Sequence, residues 1–233
     1  MKRTVYLLAM AALIWFTLWV STVNAATTIK LTDYWFCRGI GDSWTYEYTQ
    51  PLGLDPFTVT ITLITSGEYA GKIRWGDVVK PDGSKNYNIS SYDNNNFILY
   101  NSNNQKIDPP LKIPITYELE KMADNPANPA NGAWYFLKLD KLTVPAGTFY
   151  HILLKLDLDK NFGPNLGNTL FHLPANIPYG VTHAEWSALG VGILMDMDFN
   201  AAGQVGPIYQ LKTTNATPAK RRGASSAILL LQE

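Results

Sequence analysis

The sequence is short of cysteine, of charge and of helical periodicity, and each shortage narrows what the protein can be. Its 233 residues contain one cysteine, Cys37. A lone thiol closes no internal disulfide, so stability has to come from a packed core, and Cys37 is read as a small buried hydrophobe. Only 16% of residues are charged, 19 basic against 19 acidic. Nothing in so balanced a set points to nucleic acid, whose phosphates demand a basic face. No segment carries a 3.6-residue apolar period beyond two turns, which limits helix to isolated turns such as one at 119–123. The apolar run at residues 5–20 spans 16 residues, short of the roughly 20 needed to cross a bilayer.

That run reads instead as an export signal. Lys2 and Arg3 precede it, and Val23-Asn24-Ala25 supplies the small-x-small site at which such signals are cut. Removal of residues 1–25 leaves 17 basic and 19 acidic residues, a net charge of −2. The expected location is the periplasm or the medium, with no membrane span once the signal is gone. A lipoprotein would carry Cys directly at the cut, whereas Cys37 follows Tyr34-Trp35-Phe36 well downstream.

What the remaining chain has in plenty is Tyr, Trp, Thr and Asn, the composition of strands joined by polar turns. Trp44, Tyr46 and Tyr48 alternate with Thr45, Glu47 and Thr49. Phe57, Val59, Ile61 and Leu63 alternate with Thr58, Thr60 and Thr62, and Ile152, Leu154, Leu156 and Leu158 share one face. Threonine on the opposite face keeps strand propensity while tolerating water, so one side of the sheet is expected to be wet. Pro81-Asp82-Gly83 reads as a turn, and Pro109-Pro110 confines its segment to a sheet edge. Residues 161–182, with three Gly and three Pro, read as a long irregular stretch. The expectation is one mostly β domain over 26–212, built as a single curved antiparallel sheet, half-barrel or sandwich with long loops and little helix. A polar tail follows over 213–233.

Candidate chemistry is thin. His151, His172 and His183 lack the paired spacing of a zinc site. Asp157, Asp159 and Asn161, and again Asp196, Asp198 and Asn200, have the one-three-five spacing of a calcium loop. Positions six and twelve then carry Phe162 and Asn168, or Ala201 and Pro207, so both sets read as the solvent face of a strand. No serine sits in a nucleophile elbow. No carboxylate pair is spaced for glycoside hydrolysis, although Glu47 with Asp196 stays open. Trp35, Trp44, Trp75, Trp134 and Trp186 form either core or a sugar-stacking platform. Asn88-Ile89-Ser90 matches a glycosylation acceptor, a match common by chance. No catalytic residue, metal or cofactor is assigned.

Three motifs fall in order along the chain. Gly41-Asp42-Ser43-Trp44-Thr45-Tyr46 resembles the G-N-x-W-T-Y opening of a group of uncharacterised exported bacterial proteins. Val144-Pro145-Ala146-Gly147-Thr148-Phe149 resembles their V-P-A-G-T-F hairpin, and Gly190-Val191-Gly192-Ile193 their closing G-V-G-x-V turn. The resemblance spans 33–212. It implies a curved antiparallel sheet similar to periplasmic lipoprotein-carrier half-barrels, and it brings no catalytic residues. The chain departs from the pattern in the long 161–182 stretch and in Met195-Asp196, where a basic residue is expected.

These readings point to binding rather than catalysis, by an exported protein whose concave β face takes a lipid or other apolar ligand. Trp44, Tyr46, Ile61, Leu63, Leu154 and Leu156 would line that face, or else pack against one another as the core. Residues 161–182 would form a lid, with Phe171, Leu173 and Tyr179 as its apolar contacts. A carbohydrate-binding or adhesion module and a hydrolase of envelope polymers are the alternatives, and no oligomeric state follows from the sequence.

Overall fold

The computed structural model describes residues 27–35, 39–50, 55–79, 85–200 and 204–216. The expected signal segment, Cys37, the turn at 81–83 and the tail beyond 216 lie outside the described residues. The chain is mostly β, as the alternation predicts. The largest sheet has the order β10 (Ala123–Asp124), β11 (Gly132–Val144), β12 (Gly147–Asp159), β13 (Gly180–Ala188), β14 (Gly192–Phe199), β15 (Val205–Thr214), β2 (Ser43–Gln50), β3 (Phe57–Thr60). A second sheet runs β4 (Thr62–Leu63), β5 (Ile73–Val79), β6 (Lys85–Tyr92), β7 (Asn96–Ser102), β8 (Gln105–Pro114). The pair β1 (Thr28–Lys30) and β9 (Thr116–Glu118) makes a third. Neighbouring strands are antiparallel, and no sheet closes into a barrel.

Of the expected arrangements the chain adopts one with several sheets, and the two larger sheets part at Ile61. The alternation from Phe57 to Leu63 is continuous in sequence, but pairing with β2 ends at Thr60. Ile61 then donates to the Asp42 carbonyl (3.0 Å) and accepts from the Gly41 N–H (2.8 Å). Beyond it, Thr62 and Leu63 pair with Arg74 and Ile73 of β5. One extended segment is thus shared by two sheets. Ile61 is buried at this corner, whereas Leu63, expected on the same face, stands 37% exposed past it.

The large sheet is the middle layer. Ile152, Leu154, Leu156 and Leu158 of β12 join a core with Tyr135, Ala184 and Trp186. Leu153, on the opposite face, joins a second core with Trp134, Phe136, Phe97, Ile113 and Tyr117. Burial on both faces makes β12 continuously buried from Ile152 to Leu156, where alternation alone predicts every second residue. The second face is covered by residues of β1, β7, β8 and β9. The first is covered by residues 161–182, whose Phe171 ring lies 5.7 Å from Trp186 and 5.9 Å from Phe199.

That covering segment is not wholly irregular. Leu166–Leu170 forms helix α1. Its cap, Asn165, accepts from the Gly167 N–H (3.0 Å), while the Asn168 side chain accepts from the Asn165 N–H (2.9 Å). This reciprocal box starts the helix cleanly, although five residues are too few to show a period. Residues 119–123, expected as a helical turn, instead form a turn at 119–120 and a bend at 121 that lead into β10. β8 passes through Pro109-Pro110 as an edge strand, the place where missing N–H donors cost no ladder bond. β15 continues to Thr214, two residues past the expected end of the domain.

Two glycine motifs have physical causes. Val144 pairs with Gly147 across Pro145-Ala146, and Gly147 adopts φ +135°. Gly192 adopts φ +109°, and a Cβ there would lie 3.3 Å from Trp44 Nε1. That nitrogen donates to the Val191 carbonyl at 2.8 Å, so the glycine lets a fully buried indole close over the backbone. Gly192→Ala is expected to cost about 1–3 kcal/mol from the disfavoured backbone conformation. Gly163→Ala, where nothing lies within 4 Å, is expected to be nearly neutral; urea unfolding of both variants checks the difference.

Candidate functional site

Strand register lays ionisable side chains in two rows on the second face of the large sheet. Phe136, Lys155, Glu185, Asp196 and Tyr209 stand opposite one another from β11 to β15. Trp134, Asp157, His183 and Asp198 form the neighbouring row. Directly opposed residues share a face and meet side by side, so the pairing itself assembles the cluster.

Lys155 is buried at the centre. Its Nζ lies 3.2 Å from Asp157 Oδ2 and 3.9 Å from Glu185 Oε2. The rings of Trp134 and Trp35 stand 5.1 and 5.6 Å from it, close enough for cation–π attraction. Trp35 also donates from Nε1 to Glu185 Oε1 (2.8 Å), and Ser187 Oγ donates to the same oxygen (3.3 Å). His183 lies between two acids, with Nε2 3.1 Å from Asp196 Oδ2 and Nδ1 2.9 Å from Asp198 Oδ1. Tyr209 hydrogen-bonds Asp196 and opens onto an aromatic group in which its ring is 5.3 Å from Tyr46, 6.0 Å from Tyr48 and 5.1 Å from Phe57.

Burial alone would discharge both cations, and their partners prevent it. Burial opposes the charge on Lys155, but the carboxylates of Asp157 and Glu185 outweigh it and hold the ammonium above its ordinary range. Burial likewise opposes a charged His183, and the hydrogen bonds to Asp196 and Asp198 overcome it, raising the ring to about 10. The phenols of Tyr46 and Tyr209 are raised well above normal, chiefly by burial.

At neutral pH His183 is therefore an imidazolium donating from both nitrogens. The ligand atoms of His183, Asp196 and Asp198 all lie within 4.8 Å of one another. The two acids nevertheless engage different ring nitrogens, and a cation would need one nitrogen and both carboxylates on the same side. The arrangement fits a charge-paired clasp better than a metal centre.

The structure gathers the residues expected to line a concave face, Leu63 apart, into one buried core, the alternative that the sequence leaves open. Trp44, Tyr46, Ile61, Leu154 and Leu156 are all packed in the core. Leu154 and Leu156 oppose Trp186 and Ala184 on the first face, whereas Tyr46 meets Tyr209 on the second. Phe171, Leu173 and Tyr179 pack against the first-face core, and Leu63 stands outside both cores. Asp196, expected at solvent, is 5% exposed because both faces of the sheet are covered at its centre; Asp198, two residues on, is exposed. Trp44, Trp134 and Trp186 are buried and Trp35 and Trp75 half-buried, so among the described residues no tryptophan stands exposed to stack on a sugar. Sequence reasoning missed Lys155 and Glu185, and it read Trp35 as core or stacking platform rather than as a donor to Glu185. The available signal was the run Leu153-Leu154-Lys155-Leu156-Asp157, in which charges interrupt a strand otherwise greasy on both sides.

Two open grooves lie on the surface. One, of about 640 Å³, is lined by Leu99, Ile107, Pro109, Pro110 and Leu111, among others. The second, beside β9 and β10, includes Glu118, Lys121 and Asp124.

No protein-family model and no curated protein matches the chain. Among the solved structures with partial similarity are two exported proteins by their own descriptions. One is a candidate lipoprotein from Parabacteroides distasonis ATCC 8503, with a TM-score of 0.42 and 13% identity over 78% of this chain and 98% of that one. The other is a candidate exported protein with a YmcC-like fold from Bacteroides fragilis NCTC 9343, with a TM-score of 0.39 and 12% identity over 78% and 99%. Likeness at that level assigns no function.

The raised pKa of His183 makes its stabilisation present in full below pH 6.5 and lost as pH rises toward 10. Thermal melts are expected to show a decline over that window, flattened in His183→Gln. At pH 6 the variant is expected to lose about 2 kcal/mol, less than for a fully buried pair, because the ring is 25% exposed.

Proposed function

We propose that this chain is an exported envelope protein that acts by binding rather than by catalysis. The observation that carries the reading is the closed state of its ionisable cluster. Both nitrogens of His183 are engaged by acids. Lys155, Glu185 and Ser187 satisfy one another beneath Trp35. A general base needs a free lone pair at a substrate-accessible place; the buried members of this cluster spend theirs on one another, and the exposed Asp198 is engaged with His183. Export rests on Lys2, Arg3, the apolar run 5–20 and the Val23-Asn24-Ala25 cut.

The apolar ligand expected from the sequence cannot occupy the space between Trp44, Tyr46, Ile61, Leu154 and Leu156, which these side chains fill themselves. We assign it to the groove along β8, where Leu99, Ile107, Pro109, Pro110 and Leu111 present an apolar wall. A volume of about 640 Å³ suits a small ligand or part of an acyl chain. Native mass spectrometry of protein recovered from its own envelope tests both parts. The expected result is a mass lacking residues 1–25 with a lipid or other apolar adduct, the adduct being lost in Ile107→Glu. Retained Met1 would refute export; a bare protein, or an adduct that survives Ile107→Glu, would refute the groove.

A further inference from the structure

The large sheet ends on one side in an open stretch of β11. β10 pairs with β11 only at Ala133 and Trp134. The carbonyls of Gly132 and Phe136 also bond outward, to the N–H groups of Asn125 (3.2 Å) and Glu120 (2.8 Å). Main-chain groups alternate sides along an antiparallel strand, so those of Lys138 and Asp140 point outward as well. Among the described residues no backbone group meets them. The other outer strands are blunted or continued: β8 carries Pro109-Pro110, and beyond β3 the chain passes into the second sheet at Ile61. On β11 the edge is governed by its side chains alone. Lys138, Leu139, Asp140 and Lys141 are all exposed, Leu139 by 36%. Among the described residues neither Lys138 nor Asp140 has an ion-pair partner.

An unpaired edge is a template for another strand, and an isologous pair sets a strand antiparallel to its own copy. Around Leu139, the registers that bring outward groups opposite one another put Lys138 on Lys138, Asp140 on Asp140, or Lys138 on Asp140. The first two oppose like charges, which is unfavourable. The third opposes Lys138 to Asp140 on both sides of the two-fold axis. It also sets Leu139 against Leu139 at the axis, in the non-hydrogen-bonded kind of pair whose side chains approach closest. The edge is thus complementary to itself in one register and repelled in its neighbours. We propose that this edge is a dimer interface, in which two copies pair through Lys138 and Asp140 and join their large sheets into one. The paired stretch is short, so association depends on concentration rather than being permanent.

The test is sedimentation velocity of the protein, produced from the full chain, across the micromolar range. Intact mass first fixes whether the leader is present, and charge exchange then separates association through this edge from association through a retained leader. Expected is a monomer–dimer equilibrium that weakens at high salt. Asp140→Lys and Lys138→Asp, each of which opposes like charges across the axis, are expected to weaken the dimer about 10-fold. Mixing those two variants is expected to restore association as a heterodimer. Lys138→Asp/Asp140→Lys in one chain is expected to restore the homodimer. Only exposed side chains change, so melting temperatures should hold. A monomer throughout overturns the proposal, as does a dimer that the single substitutions leave unaffected. Failure of both the mixture and the double exchange to restore association overturns it too.

Discussion

A lysine inside a sheet covered on both faces is the constraint from which much of the rest follows. An ammonium removed from water without partners would lose its charge or unfold its surroundings. Lys155 avoids this because register sets Asp157 and Glu185 beside it. That solution creates a second problem, since Asp157, Glu185, Asp196 and Asp198 gather four carboxylates around it. His183 takes a proton and offers both N–H groups to two of them. Trp35 and Ser187 donate to Glu185, and Tyr209 bonds to Asp196. A collection that resembles catalytic machinery by composition is thus explained as mutual neutralisation imposed by burial.

The same constraint separates what the sequence shows from what it conceals. Period-two alternation was legible wherever one face is wet, as in β2 and β3, where Thr45 and Thr58 meet by their hydroxyls at 2.9 Å near solvent. The antiparallel β class, the edge character of the Pro109-Pro110 segment and the glycine turns before β12 and β14 followed from residue types alone. The division into sheets did not, because alternation continues unbroken through Ile61 while its hydrogen-bond partners change. Nor did the charged cluster, because its members lie on β12, β13 and β14 with nothing in their sequence spacing to pair them. Asp196 and Asp198 look alike in sequence, and only their distance from the covered centre of the sheet separates a buried acid from an exposed one.

The 161–182 segment illustrates how one stretch meets two environments. Phe171, Leu173 and Ile177 provide the inner surface that lets β12 and β13 bury their first face, and Leu166 and Leu170 form the outer one. Without this cover Trp186 and Phe199 would lose the ring that packs against both. Its length and its Gly and Pro content, which suggest disorder by composition, instead reflect a main chain that folds back repeatedly and binds its own amides through asparagine side chains.

The pairing of β2 with β15 has a consequence for the order of events during biosynthesis. Ser43–Gln50 emerges early from the ribosome and finds its neighbour, Val205–Thr214, only when nearly the whole chain has been made. Contacts so distant in sequence slow folding, since a long loop must close before they form. Until then Trp44 and Tyr46 have neither the Leu211 side chain nor the Val191 and Ile193 carbonyls to meet. The nascent polypeptide is thereby kept from completing its central sheet until its last strand is made.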